Sequence, residues 1–154
     1  MKKITDQRVF VQVEKAFDEP AETIFDAWLD TDMLSHWMFG PAVRNEEVLN
    51  LTNDPRPGGR FSFQVRRDNE ILNHIGAYLE INRPSLLVFT WGVDIEPGDE
   101  SVVTIRITST ATGCVLQLEH DMDIKWSEYA DRTEEGWTYM IGLLHNYLQR
   151  HRNK

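Results

Sequence analysis

SEYADRTEEGWTYMIGLLHNYLQRHR (Ser127–Arg152) closes the chain as one helical pattern. Within it Ala130, Thr133, Trp137, Met140, Ile141, Leu144 and Leu148 recur at three- and four-residue steps, which sets them along one face of a long helix. Asp131, Glu135, Thr138, Asn146, Gln149 and Arg150 fall on the opposite, solvated face. A single long helix has to bury its apolar stripe against another layer. From about Val43 to Met122 the chain reads as short strands and turns with no helix between them. That sheet is the one partner large enough. A curved sheet gripping one helix can enclose a pocket.

Upstream, Arg8–Phe17 alternates, with Val9, Val11 and Val13 on one side, as a half-buried strand does. Pro20 opens a helix with Glu22 in its first turn, and Ile24, Ala27 and Trp28 share a face through Asp30. Thr31-Asp32 begins a second short helix carrying Met33, Leu34 and Trp37, which stops before Gly40-Pro41. Val43–Leu51 is expected as a strand. Asp54-Pro55-Arg56-Pro57-Gly58-Gly59 turns it back, so that Leu49–Leu51 pairs with Phe61–Phe63. Ile71–Ile81 is a long strand with Ile71, Ile75, Ala77 and Leu79 on one face and Leu72, His74, Gly76 and Tyr78 on the other. Leu86–Val93, the run of Val103, Ile105 and Ile107, and Cys114–His120 follow. Turns are expected at Arg83-Pro84-Ser85, Glu96-Pro97-Gly98-Asp99 and Ala111-Thr112-Gly113. Successive strands with short turns form an antiparallel meander. The fold class is therefore α+β: a curved antiparallel sheet of about seven strands, two short helices and one long C-terminal helix.

The chain has 154 residues, 41% hydrophobic and 27% charged, which fits one soluble domain. That domain is expected over 8–152, with 1–7 and 153–154 as flexible termini. No apolar run approaches the roughly 20 residues of a membrane span. Met1–Asp6 has no apolar signal core. Cys114 is the only cysteine, so no internal disulfide forms. These features point to a cytoplasmic location. The formal net charge is −9, and Lys and Arg do not gather beyond Arg66-Arg67 and the tail Arg150-His151-Arg152-Lys154. The tail reads as cations at a helix C-terminus. Neither nucleic acid nor a membrane surface is expected as a partner.

Chemistry-bearing motifs are sparse. Neither a Gly-x-Ser-x-Gly elbow nor a Gly-x-Gly-x-x-Gly loop occurs. His120-Asp121-Met122-Asp123 alternates faces along a strand and so cannot converge on a metal. Cys114 has no His or Lys neighbour to activate it. No catalytic residue, metal or cofactor is assigned. What remains is a mostly apolar set suited to lining a small-molecule pocket: Phe61, Phe63, His74, Tyr78, Phe89, Trp91, His120, Trp137, Met140 and Ile141. His74 and His120 read as hydrogen-bonded core histidines, with catalysis through His74, His120 or Arg44 as the alternative. Gly136 costs the helix about 1 kcal/mol relative to alanine, which suggests close packing or a kink beside Trp137, with room for a ligand as the alternative.

Several of these segments together resemble a known family. Pro20-Ala21-Glu22-Thr23-Ile24-Phe25-Asp26-Ala27-Trp28 resembles its first helix, and Trp37 the tryptophan ending its second. Arg56-Pro57-Gly58-Gly59-Arg60-Phe61 resembles its glycine-pair hairpin. Gly76-Ala77-Tyr78-Leu79-Glu80-Ile81 with Leu87-Val88-Phe89-Thr90-Trp91 resembles its paired central strands. Glu135-Gly136-Trp137 with Leu144 and Leu148 resembles its last helix. The family is that of the activator of the Hsp90 ATPase, in its single-domain form, within the START-like, birch-pollen-allergen-like superfamily. The resemblance covers about residues 8–150. It implies a helix-grip fold with a cavity between sheet and C-terminal helix for a small apolar or amphipathic molecule. It also implies a cyclase- or hydrolase-like enzyme, or a chaperone-linked interaction module, as alternatives. The co-chaperone that names the family contacts its partner through a further N-terminal domain, and nothing before Arg8 corresponds to it.

Overall fold

The computed structural model describes residues 1–94 and 99–151. One curved antiparallel sheet runs β1 (Lys2–Ile4), β2 (Arg8–Phe17), β8 (Cys114–Asp123), β7 (Ser101–Ser109), β6 (Leu86–Val93), β5 (Glu70–Asn82), β4 (Arg60–Arg67), β3 (Glu47–Asn53) from edge to edge. Two short helices, α1 (Ala21–Asp26) and α2 (Thr31–Trp37), connect β2 to β3. A 3-10 helix (Ile124–Tyr129) leads into α3 (Ala130–His151). This is the expected helix-grip architecture with one strand more. Residues 2–4, expected to be loose, pair with Val9–Val11 as β1. Lys2 meets Asp131, and the terminal amine meets Glu134, both on α3.

The stripe of α3 packs as its periodicity requires. Ala130, Trp137, Ile141 and Leu144 are buried, and Met140 and Leu148 lie half-buried against the same core. Gly136 departs from expectation. A Cβ added there would meet nothing within 4 Å, so the glycine faces open space rather than a close neighbour.

The glycine-pair hairpin forms with Leu51 opposite Phe63 and Asn53 opposite Phe61; a bulge between Val48 and Asn50 takes up Leu49. The expected start of β3 is wrong by four residues. Val43 and Arg44 amides bond back to the Gly40 carbonyl in a turn, and the strand begins only at Glu47. The first helix also ends early, at Asp26. Asp30 is needed in extended conformation to cap α2, where its carboxylate accepts from the amides of Asp32 (2.9 Å) and Met33 (3.4 Å). Trp28 therefore sits in the link between two helices, not on a helix face. The turn expected at Glu96–Asp99 and the tail beyond His151 lie largely or wholly outside the described residues. No helix among the described residues is long and apolar enough to cross a membrane.

Candidate functional site

The inward face of the sheet carries Phe61 and Phe63 from β4, His74 and Tyr78 from β5, Phe89 and Trp91 from β6, and His120 from β8. Their rings touch in one continuous network. Phe61 lies 4.7 Å from Phe63, 5.5 Å from Tyr78 and 5.9 Å from both Phe89 and Trp91. Trp91 links onward to His74 (5.4 Å) and to Trp137 of α3 (5.7 Å). Trp137 reaches His120 at 6.0 Å. The eight aromatic and imidazole residues assigned from sequence are thus brought together, and Met140 and Ile141 pack onto the same core from α3.

This network depends on one small residue. Gly76 lies directly opposite Phe61 in the β4–β5 ladder. A Cβ there would strike both the Thr90 carbonyl oxygen and the Phe61 ring. The absent side chain lets the ring lie across the strand.

The space between these rings is small, about 10 Å³. It is walled by Phe61, Phe63, Tyr78, Phe89 and Trp91 from the sheet and by Trp28, Leu34 and Met38 from the α1–α2 region. That is about the room one water needs. The expected partly open cavity is therefore almost filled by side chains. The space also sits under the two short helices; His74, His120, Trp137, Met140 and Ile141 pack behind its walls without bordering it. Trp28, Leu34 and Met38 were missed by sequence reasoning. Trp28 and Leu34 were visible as apolar helix positions, but nothing in a helical period says which buried residue borders a void. A larger hollow of about 530 Å³ lies on the other face of the sheet, between Gln12, Glu14, Thr104, Arg106, Gln117 and Glu119. Its polar groups bond one another, Gln12 to Glu119 and Gln117 to Glu14, and Met1, Val13 and Leu118 complete its lining.

Polar groups at the site are arranged to be neutral inside and charged at the margin. Trp137 Nε1–H donates to His120 Nδ1 at 3.0 Å, and His120 Nε2 lies 2.5 Å from Ser101 Oγ. Indole nitrogen only donates, so the imidazole proton resides on Nε2 and points at Ser101. Ser101 in turn donates to the Trp91 carbonyl at 3.0 Å. Burial pulls the His120 pKa down to about 4. Burial likewise lowers that of His74. His74 Nδ1 lies 3.1 Å from the Phe63 carbonyl and must donate to it, which leaves Nε2 with the lone pair. Cys114 is buried, and burial raises its thiol pKa, so it is an unreactive core residue.

Basic side chains do converge in space, contrary to their scatter in sequence. Arg67 Nε and Nη2 bond Glu46 Oε1 at 3.0 and 2.7 Å, while Arg44 Nη1 and the Gly40 amide bond Oε2 at 2.9 and 2.8 Å. Burial alone would raise the Glu46 pKa; the Gly40 amide and the two guanidiniums outweigh it and hold the carboxyl low. Arg44 also donates to the Met38 carbonyl and touches Met140 Sδ at 3.3 Å. Arg44 is thus a structural tie between α2, β3 and α3.

Comparison with known proteins places this geometry. The family model for Activator of Hsp90 ATPase homolog 1-like proteins matches residues 18–149. A protein of unknown function from Staphylococcus aureus superposes with a TM-score of 0.82 at 17% identity, over 97% of this chain and 99% of that one. A protein from Rhodobacter sphaeroides gives 0.80 at 15% identity, over 97% and 98%. An AHSA1-like protein from Aeromonas hydrophila gives 0.77 at 18% identity, over 94% and 95%. At these identities the likeness concerns the fold. No curated protein matches the sequence.

Proposed function

The chain belongs to the family of Activator of Hsp90 ATPase homolog 1-like proteins, and from that premise we propose that it binds a small apolar or amphipathic molecule in the aromatic core between the sheet and the helices. The observation that carries this reading is the small space walled by aromatic and aliphatic side chains with no charged group among them. Small-molecule sites have this makeup, and their affinity follows buried apolar area, near 25 cal/mol per Å² before association costs. The binding unit is the single domain, with β1 as its edge strand.

Occupation requires the walls to part; the wall facing the sheet comes from the link after α1 and from α2 with its C-cap, so we infer that these two helices move. They have 6 and 7 residues, and helices shorter than about 12 residues are marginal on their own. Burial of Ile24, Phe25, Leu34 and Trp37 holds them to the sheet. A ligand that presents its own apolar surface can replace the packing that opening disrupts.

Titration with a flat aromatic, a fatty acid and a nucleotide, read by tryptophan emission and amide shifts, tests the proposal. Native mass spectrometry of freshly purified protein adds a search for a retained molecule. The apolar compounds should shift residues of β4, β6 and the α1–α2 link, and the nucleotide should not. If no apolar compound shifts any residue there, the reading is wrong.

The exposed pair Trp126 and Tyr129, with ring centroids 5.8 Å apart, favours a second reading as an interaction module. These rings lie on the 3-10 helix at the outer surface, where a protein partner such as a chaperone would meet apolar surface. Failure of the titration together with loss of partner binding in Trp126→Ala would replace the first reading with this one.

A further inference from the structure

The cavity contains one polar anomaly. Trp28 borders it and is 4% exposed, and its Nε1–H meets no hydrogen-bond acceptor among the described residues. Its surroundings are rings: Trp37 at 4.7 Å, Trp137 at 5.8 Å and Phe89 at 6.3 Å. Buried indole N–H groups normally find a partner, and an unmet one carries a desolvation penalty that calls for an explanation. The other two buried tryptophans obey the rule. Trp37 Nε1 donates to the Ala27 carbonyl at 3.0 Å and Trp137 Nε1 to His120.

A second donor lies near the first. Asn53 Nδ2 donates both to the Leu29 carbonyl (2.9 Å) and to Tyr78 Oη (3.1 Å). Leu29 is the residue next to Trp28, so Asn53 holds the phenol close to the Trp28 segment. In that contact Tyr78 accepts, which leaves its own proton to give. Tyr78 also borders the cavity. Burial raises the phenol pKa, so it keeps that proton. Two donor-bearing residues, Trp28 and Tyr78, thus line the apolar space, and no charged side chain does.

We propose that Trp28 is the specificity-determining donor of the site and that the ligand is a neutral, flat aromatic molecule bearing a carbonyl-type acceptor, which takes the Trp28 Nε1–H bond with Tyr78 as a second donor. The proposal rests on the aromatic-core binding site above. An acceptor in the ligand satisfies the indole, whereas a pure hydrocarbon leaves it unmet; a site built to donate rejects the congener that cannot accept. Charged ligands are disfavoured, because no wall residue compensates a buried ion.

The test uses the full chain and two isosteric probes, 2-acetylnaphthalene and 2-isopropenylnaphthalene, which differ in C=O against C=CH₂. The dissociation constant of each is measured while the tryptophan indole N–H resonances are followed. The ketone should bind about tenfold more tightly and move the Trp28 indole proton downfield. Trp28→Phe should lower the preference to within twofold while retaining the hydrocarbon. If both probes bind the wild type equally and the Trp28 indole resonance stays still, the donor role is overturned and the binding site stands. If neither probe binds, the site itself falls and the donor role with it. The indole shift in the wild type decides the matter even where Trp28→Phe fails to fold.

Discussion

Trp137 Nε1–H on α3 donates to His120 Nδ1 on β8 across 3.0 Å, with both side chains buried. The bond continues through Ser101 to the Trp91 carbonyl. A single polar chain thereby joins the last helix to three adjacent strands. Each donor in it has one acceptor, so a polar group in the core fixes the seating of α3 without leaving an unmet partner.

This chain makes stability depend on pH. An unperturbed histidine titrates near 6.5, and His120 in the fold titrates at about 4. Between those values the unfolded state binds the proton and the folded state does not. Stability is complete above about pH 6.5, falls as pH drops towards 4, and levels below, with a total loss of about 3 kcal/mol from this group. His74 shifts in the same direction and adds to the loss. Imidazole NMR should find His120 neutral down to about pH 4, and denaturant midpoints at pH 7 and 4.5 should differ by more in the wild type than in His120→Gln. A normal His120 titration near 6.5 would refute this.

Trp137→Phe preserves a ring but leaves His120 Nδ1 without its donor. The expected destabilisation is about 1–3 kcal/mol. Urea unfolding should resolve it. His120→Leu with Trp137→Phe should cost less than the two single changes added together, since no polar atom is then stranded.

Two glycines should respond with opposite sign. Gly136→Ala fills open space on α3, removes a helix-interior glycine and should stabilise by about 1 kcal/mol. Gly76→Ala drives a methyl into the Thr90 carbonyl and the Phe61 ring and should destabilise by at least about 1–3 kcal/mol. Thermal midpoints of the two variants, one above and one below the wild type, check both.

Glu46→Gln keeps the size of the side chain and removes the charge that Arg44 and Arg67 share. Breaking a buried pair costs about 3 kcal/mol when a partner is left uncompensated. The value here should fall somewhat below that, because both guanidiniums keep partial water contact. Chemical denaturation gives the size. The amides of Gly40 and Met140 should shift most, as the residues tied to this cluster.

Much of the fold was legible in the order of amino acids alone. The stripe from Ala130 to Leu148, the Pro57-Gly58-Gly59 turn and the alternation of Phe61, Phe63 and Val65 follow from helical and strand periods, which are properties of the local backbone. Those periods also brought the ring-bearing residues of β4, β5 and β6 to a common core. Local pattern alone does not choose between two strand faces that are alike. On β5 both faces carry apolar residues; Ile71 and Leu79 are 54% and 48% exposed, while His74 and Tyr78, assigned to the pocket from sequence, are buried. Ladder register with β4 and β6 chose the face, because His74 and Tyr78 lie opposite Phe63 and Phe89. Only the tertiary structure brought Arg44 and Arg67 to Glu46, filled the interior to about 10 Å³ of remaining space and set the Trp28 indole against that space. These outcomes depend on distances between residues far apart in sequence and on how ring volumes sum in a closed core. A one-dimensional pattern holds neither quantity.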